Sequence, residues 1–311
     1  MNILVTGGAG FIGSHLCKRL ISVGNKIAVI DNLSNGTKNN IKELMGRQNF
    51  DFYECDINDT SKIDEIFRTH SFEMVYHLAA NADVYKGAEN YQIDLNNTLL
   101  TTVNVLEMMR KYDVKKLFFA SSSTIYGKSE EPLRETGIEM RPISHYGAAK
   151  MAGEAFINSF SNLYGIQVWI ARFCNVVGPN MTHGIIPDLI RKLKKNPSEL
   201  EVYGDGTQTK PYIYIDDLLD GIMILCHNGK TLFNGCLVGV DSTISAAKIA
   251  EIIMKEMRLV VPVKYVDDYV GRKGDVCHYR YDVTCLKKLG WTPRYTSEDA
   301  VRLAIQLNLN N

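Results

Sequence analysis

The sequence predicts an α/β fold: a doubly wound parallel sheet followed by a smaller mixed α/β lobe. Two observations carry this. Short runs rich in Val, Ile and aromatic residues alternate with segments whose apolar residues recur at helical spacing. A glycine-rich turn, TGGAGFIGSH at 6–15, stands where the first strand-like run gives way to the first helical one.

The strand-like runs are NILVTG, KIAVID, FDFYECD, MVYHLAA, KLFFASSS and VWIARFCNVVG. Most are apolar on both faces, as strands covered by helices on either side must be. Between them, SHLCKRLISVG closes on Gly24 as a helix C-cap, and KIDEIFRTH and TTVNVLEMMRKY carry helical periodicity. This places the doubly wound domain at residues 1–175. After Gly178-Pro179 the alternation fades, so residues 176–311 read as the second lobe. Segments around 211–240 are expected to return to the first domain.

Bulk composition narrows the function. The 311 residues carry 35 Lys plus Arg against 35 Asp plus Glu, a balance that argues against nucleic-acid and membrane-surface partners. No apolar stretch reaches the roughly 20 residues that span a bilayer. No leader-like segment is expected before the first strand. The seven cysteines form no CxxC pair and suit free thiols in a reducing cytosol. The histidines are scattered, so no metal site is expected. Cys174 reads as a small buried apolar residue.

The glycine turn holds Gly7, Gly8, Gly10 and Gly13, satisfying both GxxGxxG and GxGxxG spacing. Such glycines admit a pyrophosphate close to the backbone and let the helix N-terminus face it. Asp31 closes the second strand, where a carboxylate accepts from both hydroxyls of an adenosine ribose and repels a 2′-phosphate. NAD is therefore expected over NADP. Asp56 ends the third strand, where an adenine amino group can donate to it. Leu78, Ala79 and Ala80 end the fourth, their small size suiting a cofactor lying close.

HYGAAK at 145–150 sets Tyr146 four residues before Lys150, on one helical face. Alone, that pair is equally a solvated helix face. With TGGAGFIG, SSSTIYG and this YxxxK in one chain, the sequence resembles the extended short-chain dehydrogenase/reductases. More narrowly it resembles the NAD-dependent nucleotide-sugar epimerases and dehydratases, most of all the UDP-glucose 4-epimerases. The likeness extends through DNLSNG, RFCNVVGP, GDGTQTKPYIYIDD, GRKGDV and LGWTP.

The resemblance implies a Rossmann domain binding NAD, a UDP-sugar substrate and a homodimer built on two helices per subunit. It makes Tyr146 the acid/base. Lys150 binds the nicotinamide ribose and lowers the phenol from its free value near pH ~10. Ser122, four residues before Tyr126, passes the proton between sugar and phenol. Phe11, Ile12, Asn32, Ile57 and Thr98 join the cofactor set. Thr98 stands where the family usually has Asn. Asn175, Arg272 and Asp275 are assigned to the diphosphate, sugar and uridine ribose, and Tyr203 to the uracil. Lys210 replaces the family's usual Arg and loses its bidentate fork.

Ser122 is followed by Ser123 and Thr124, where the family's dehydratases and decarboxylases carry carboxylates. That favours epimerisation without net redox over elimination or decarboxylation. Tyr279 is expected to crowd an N-acetyl group at sugar C2. His183 and Arg191 lie in the region that would meet a C6 carboxylate. A ketoreductase, or a non-catalytic NAD-binding regulator, is the competing reading. Such regulators usually lose the tyrosine or lysine retained here.

Overall fold

The computed structural model describes residues 1–266 and 274–309. These form two compact units, each assembled from separated stretches of chain. The first comprises 1–122, 145–172 and 222–236; the second comprises 123–144, 173–221 and 237 onward.

The first unit is built on a seven-stranded sheet. In chain order its strands are β1 (Asn2–Thr6), β2 (Lys26–Asp31), β3 (Phe50–Glu54), β4 (Met74–His77), β5 (Lys116–Ser122), β6 (Gln167–Phe173) and Phe233–Val238. Across the sheet they run Phe233–Val238, β6, β5, β4, β1, β2, β3. The pairings of β1 with β2 and β4, of β2 with β3 and of β4 with β5 are all parallel. The order reverses direction at β1, which puts the carboxyl ends of β1 and β4 beside a crevice suited to a ligand.

The helices of this unit include α1 (Phe11–Ser22), α2 (Lys38–Ile41), α3 (Thr60–Thr69), α4 (Val84–Glu89), α5 (Tyr91–Asp94), α6 (Thr101–Lys111) and α7 (His145–Tyr164). Leu4, Val75, Leu117 and Phe119 of the sheet bury against Ile63 and Phe67 of α3, Leu106 and Met109 of α6 and Ile157 of α7. Gly24 ends α1 at φ 87°, with its N–H donating to Ile21 O and that of Asn25 to Leu20 O. Those two bonds satisfy carbonyls the helix leaves open. Asp59 caps α3 by accepting from Lys62 N at 3.2 Å.

The structure departs from the sequence reading in two places. VWIARFCNVVG is two strands, not one. β6 stops at Phe173, and Asn175–Val177 pairs in parallel with Tyr212–Tyr214 in a separate two-stranded sheet. Val, Ile and Phe dominate the run on both sides of Cys174 and Asn175, so one poor strand former does not by itself mark the break. Ahead of α6, a turn of π-helix over Leu95–Leu100 extends the helical path back to α5.

The second unit carries α8 (Ile185–Lys195), whose Ile186, Leu189, Ile190 and Leu193 form one buried stripe. Two further small pairings, Leu200–Tyr203 with Val263–Val266 and Thr209–Lys210 with Ile244–Ser245, complete its mixed character. Among the described residues, no helix is long and apolar enough to cross a membrane.

Candidate active site

The glycine turn links β1 to α1 with backbone packed too closely for side chains. Gly7 lies at φ 71°, and a Cβ on it would fall 2.8 Å from Ala79 N. One on Gly13 would fall 2.1 Å from Gly7 O. Gly10 starts α1 without a side-chain cap, so the first-turn amides of Phe11, Ile12 and Gly13 are not claimed by one. This is the anion-binding arrangement a pyrophosphate needs.

At the end of β2 the Asp31 carboxylate is buried, accepting from Ala9 N at 2.9 Å and Leu33 N at 2.8 Å. Burial pushes its carboxyl up, opposed by the Leu33 and Ala9 N–H groups. Each oxygen keeps lone-pair capacity for a ribose hydroxyl. Asn32 Nδ2 donates to Asp56 Oδ2 at 3.0 Å, joining the ends of β2 and β3 beside the buried Ile57. Thr6 Oγ1 accepts from Ala79 N at 3.2 Å, which holds Leu78, Ala79 and Ala80 against the turn. The crowding around Gly7 and Gly13 and the carboxylate at Asp31 fit an NAD.

Thr98 sits within the π-helical turn, buried, and its Oγ1 accepts from Asn81 N at 3.1 Å. Asn81 Nδ2 in turn donates to Asp94 Oδ1 at 2.8 Å. Thr98 therefore braces the loop after β4, and its hydroxyl keeps one proton to donate elsewhere.

Ser122, Tyr146 and Lys150 converge at the end of β5. Tyr146 lies in the first turn of α7, half-buried at its surface but with its hydroxyl in packed surroundings, hydrogen-bonded to Ser122. Burial pushes the phenol up to about 12, against the Ser122 bond, with Asp94 adding to the rise. Lys150 is buried one turn on, its Nζ donating to Ala120 O at 2.7 Å and lying 5.9 Å from the Tyr146 ring centroid. Burial pushes its ammonium down to about 7, against the carboxylates of Glu154 and Asp94.

Desolvation dominates both groups, and Lys150 spends a donor on Ala120 O.

The sequence reading also missed Glu154, which is buried with Ser121 and Arg172 around it. Its spacing from Lys150 repeats that of Lys150 from Tyr146, a signal that could have placed it on the same face.

In the second unit, Asn175 Nδ2 donates to the Tyr279 hydroxyl at 3.1 Å. Tyr279 is buried, also hydrogen-bonded to Ser123, and burial holds its phenol well above the ordinary value. Lys210 Nζ meets Asp275 Oδ2 at 2.5 Å, so these two assigned residues are an ion pair. Tyr203 is part-exposed, with Lys192 Nζ 4.3 Å over its ring. His183 lies beside Thr182 and Arg191 beside Asp188, both on the surface. Arg272 lies outside the described residues. Burial pushes the Cys174 thiol up to about 12, which makes it inert as a nucleophile.

The chain is similar to known proteins along nearly its whole length. The chain is 33% identical over 314 residues to a putative UDP-glucose 4-epimerase of Methanocaldococcus jannaschii, covering 99% of each. It is 31% identical to a UDP-glucuronate 4-epimerase of Thermodesulfobacterium geofontis, covering 99% of this chain and 96% of the relative. The crystal structure of the Thermotoga maritima UDP-glucose 4-epimerase with UDP-glucose superposes with a TM-score of 0.88 at 32% identity, over 99% of this chain and 98% of that one. The family model described as NAD dependent epimerase/dehydratase matches residues 3–235, a span that holds the glycine turn, Asp31, Ser122, Tyr146 and Lys150 together. By that match and these relatives, the chain belongs to the NAD-dependent epimerase/dehydratase family, with NAD as its cofactor.

Proposed function

We propose that the protein epimerises C4 of a UDP-hexose, interconverting UDP-glucose and UDP-galactose with NAD retained. One observation carries the choice of reaction. Ser122 is hydrogen-bonded to Tyr146, and the residues after it are Ser123 and Thr124, with Ser123 engaged by Tyr279 and Tyr281. Elimination or decarboxylation asks for a carboxylate there. Epimerisation asks only for one acid/base that acts twice.

Tyr146, as phenolate, takes the proton of the 4-hydroxyl, with Ser122 relaying it between sugar and phenol. When bound, NAD would take up the hydride from C4 and give it back, so that no net oxidation remains. Tyr146, now a phenol, returns the proton to the 4-keto oxygen as the hydride comes back to the other face of the sugar. Lys150 holds the nicotinamide ribose. The cofactor contacts are assigned to Gly7, Gly10, Phe11, Ile12, Gly13, Asp31, Asn32, Asp56, Ile57, Leu78, Ala79, Ala80 and Thr98. Asn175, Lys210, Arg272 and Asp275 are assigned to the diphosphate and ribose, and Tyr203 to the uracil.

The substrate reading rests on Tyr279, whose buried ring and bond to Asn175 leave it little freedom to swing aside for an N-acetyl group. Relatives named for UDP-glucose and for UDP-glucuronate both match along nearly the whole chain. UDP-glucuronate is therefore the second reading, with Arg191 available to a C6 carboxylate.

The test follows UDP-galactose by NMR with purified protein and no added NAD. UDP-glucose signals are the expected result; stoichiometric net reduction of cofactor instead would sink the epimerase reading. In the same assay Tyr279→Ser should open turnover of UDP-N-acetylglucosamine, and no gain would remove the gatekeeper role.

Two copies are taken to pair through α6 and α7, where Met151, Phe156, Leu163 and Tyr164 of α7 lie exposed. A solution mass of one 35.0 kDa chain would contradict that pairing. Seven free thiols are in keeping with a cytoplasmic enzyme.

A further inference from the structure

Glu154 lies one turn beyond Lys150 on α7, and the reaction above gives it no part. Its Oε1 accepts from Ser121 Oγ at 2.5 Å and from Arg172 Nε at 3.1 Å. Its Oε2 accepts from Arg172 Nη2 at 2.8 Å. Glu154, Ser121 and Arg172 are all buried.

The three consecutive residues ending β5 are thus each tied to α7 by a different side chain. Ala120 is held through Lys150, Ser121 through Glu154 and Ser122 through Tyr146. Successive ties of this kind fix the height of α7 against the strand, and with it the placement of Ser122 relative to Tyr146. Arg172 on β6 fastens the same carboxylate from the next strand.

The chemistry of the tie matters as much as its geometry. A buried ion pair is a poor way to fasten a helix, because desolvating two charges offsets most of their attraction and apolar side chains of like volume serve as well. A carboxylate kept there points to use of its charge. Lys150 is the cation that needs one: it is buried, its Nζ lies 4.8 Å over the Phe119 ring, and burial works against its ammonium. The charged and titratable groups around it are few. Asp94 at the end of α5 adds a second negative charge, and itself feels His145 and Asp83. His77 on β4 is held neutral, pushed down to about 3 by burial and by Lys150. Tyr146 is the group served.

We propose that Glu154 is a positioning residue for the acid/base set, locking α7 to the end of β5 and supplying the buried negative charge that keeps Lys150 an ammonium beside Tyr146. The inference rests on the acid/base reading of Tyr146. Its consequence runs through Lys150. Without the carboxylate the lysine gives up its proton at lower pH, and the phenol loses the cation that favours phenolate.

The test reads Tyr146 directly and needs no sugar. The near-ultraviolet phenolate band of the NAD-loaded protein is titrated, and the Tyr146→Phe variant is subtracted. In Glu154→Gln the midpoint of the Tyr146 band should rise by about 1 pH unit, a tenfold loss of phenolate at fixed pH. The double variant Glu154→Gln with Arg172→Met removes the stranded cation and restores apolar packing, so it covers the case in which the single variant fails to fold. Its band should stay displaced upward. A wild-type midpoint in either folded variant overturns the proposal, because the carboxylate would then be only a structural fastening. A wrong sugar assignment leaves this measurement untouched. Absence of any Tyr146-dependent band in the wild type would sink the acid/base reading itself and the role of Glu154 with it.

Discussion

Tyr146→Phe lowers the turnover of UDP-galactose about 10²–10⁴-fold and leaves the protein folded and loaded with NAD. The substitution deletes one hydroxyl from a ring of nearly the same shape. What it removes is the bond to Ser122 and the hydroxyl proposed as the acid/base. The Lys150 bond to Ala120 O is independent of that hydroxyl, so the proposed ribose contact should survive. KM should move little while kcat falls, the pattern of an interaction used only in the transition state.

The pH profile follows from the same two groups. Rate rises as Tyr146 ionises and falls as Lys150 loses its proton. Burial works against both charged forms, pushing the phenol up and the ammonium down, and a positive nicotinamide ring beside the phenol would favour phenolate. A bell-shaped kcat profile is expected in the wild type. If Tyr146→Phe kept more than about a tenth of wild-type kcat, Tyr146 would not be the acid/base.

Gly13→Ala should abolish retention of NAD. A methyl group there would stand 2.1 Å from Gly7 O and 2.8 Å from Gly8 Cα. Both contacts are backbone atoms with no rotamer to change, so the turn itself has to open. That moves the start of α1 away from where a pyrophosphate would meet its amides, and misplacement by about 1 Å can cost on the order of 10²-fold. The variant should fold, because α1 keeps its buried Leu16, Cys17 and Leu20 and its Gly24 termination. It should purify free of NAD and turn over only when excess cofactor is added. An absorbance spectrum showing one equivalent of bound NAD in Gly13→Ala would refute the close-packing argument.

The parts of this site that were legible in the sequence are those fixed by local geometry. Gly7 and Gly13 are readable because a tight turn into a helix admits nothing larger. Tyr146 and Lys150 are readable because four residues return a side chain to the same helical face, although only the resemblance gave that pairing a meaning. What stayed hidden depends on distant partners. Glu154 looks like an ordinary helix surface residue until Arg172 and Ser121 are brought to it by two strands. Lys210 reads as a free cation until Asp275 is found against it. The stop at Phe173 is invisible for the opposite reason: Cys174 and Asn175 continue a run that is equally at home in either of two sheets. The stretch 123–144 likewise carries no signal that it leaves the first unit between β5 and α7.

The placement of Phe233–Val238 beside β6 has a consequence for synthesis. The sheet of the first unit is finished only after a long interruption in translation. β6 ends at Phe173, but the strand that covers its outer side begins at Phe233, with most of the second unit's first half encoded between them. At about 5–20 residues per second, a ribosome takes several seconds to cross that interval. For that time the nascent chain presents β6 as an open edge, its backbone donors and acceptors unpaired on one side. The chain is therefore most vulnerable to mispairing with a neighbour before it is complete, and a holding chaperone would find its target at β6.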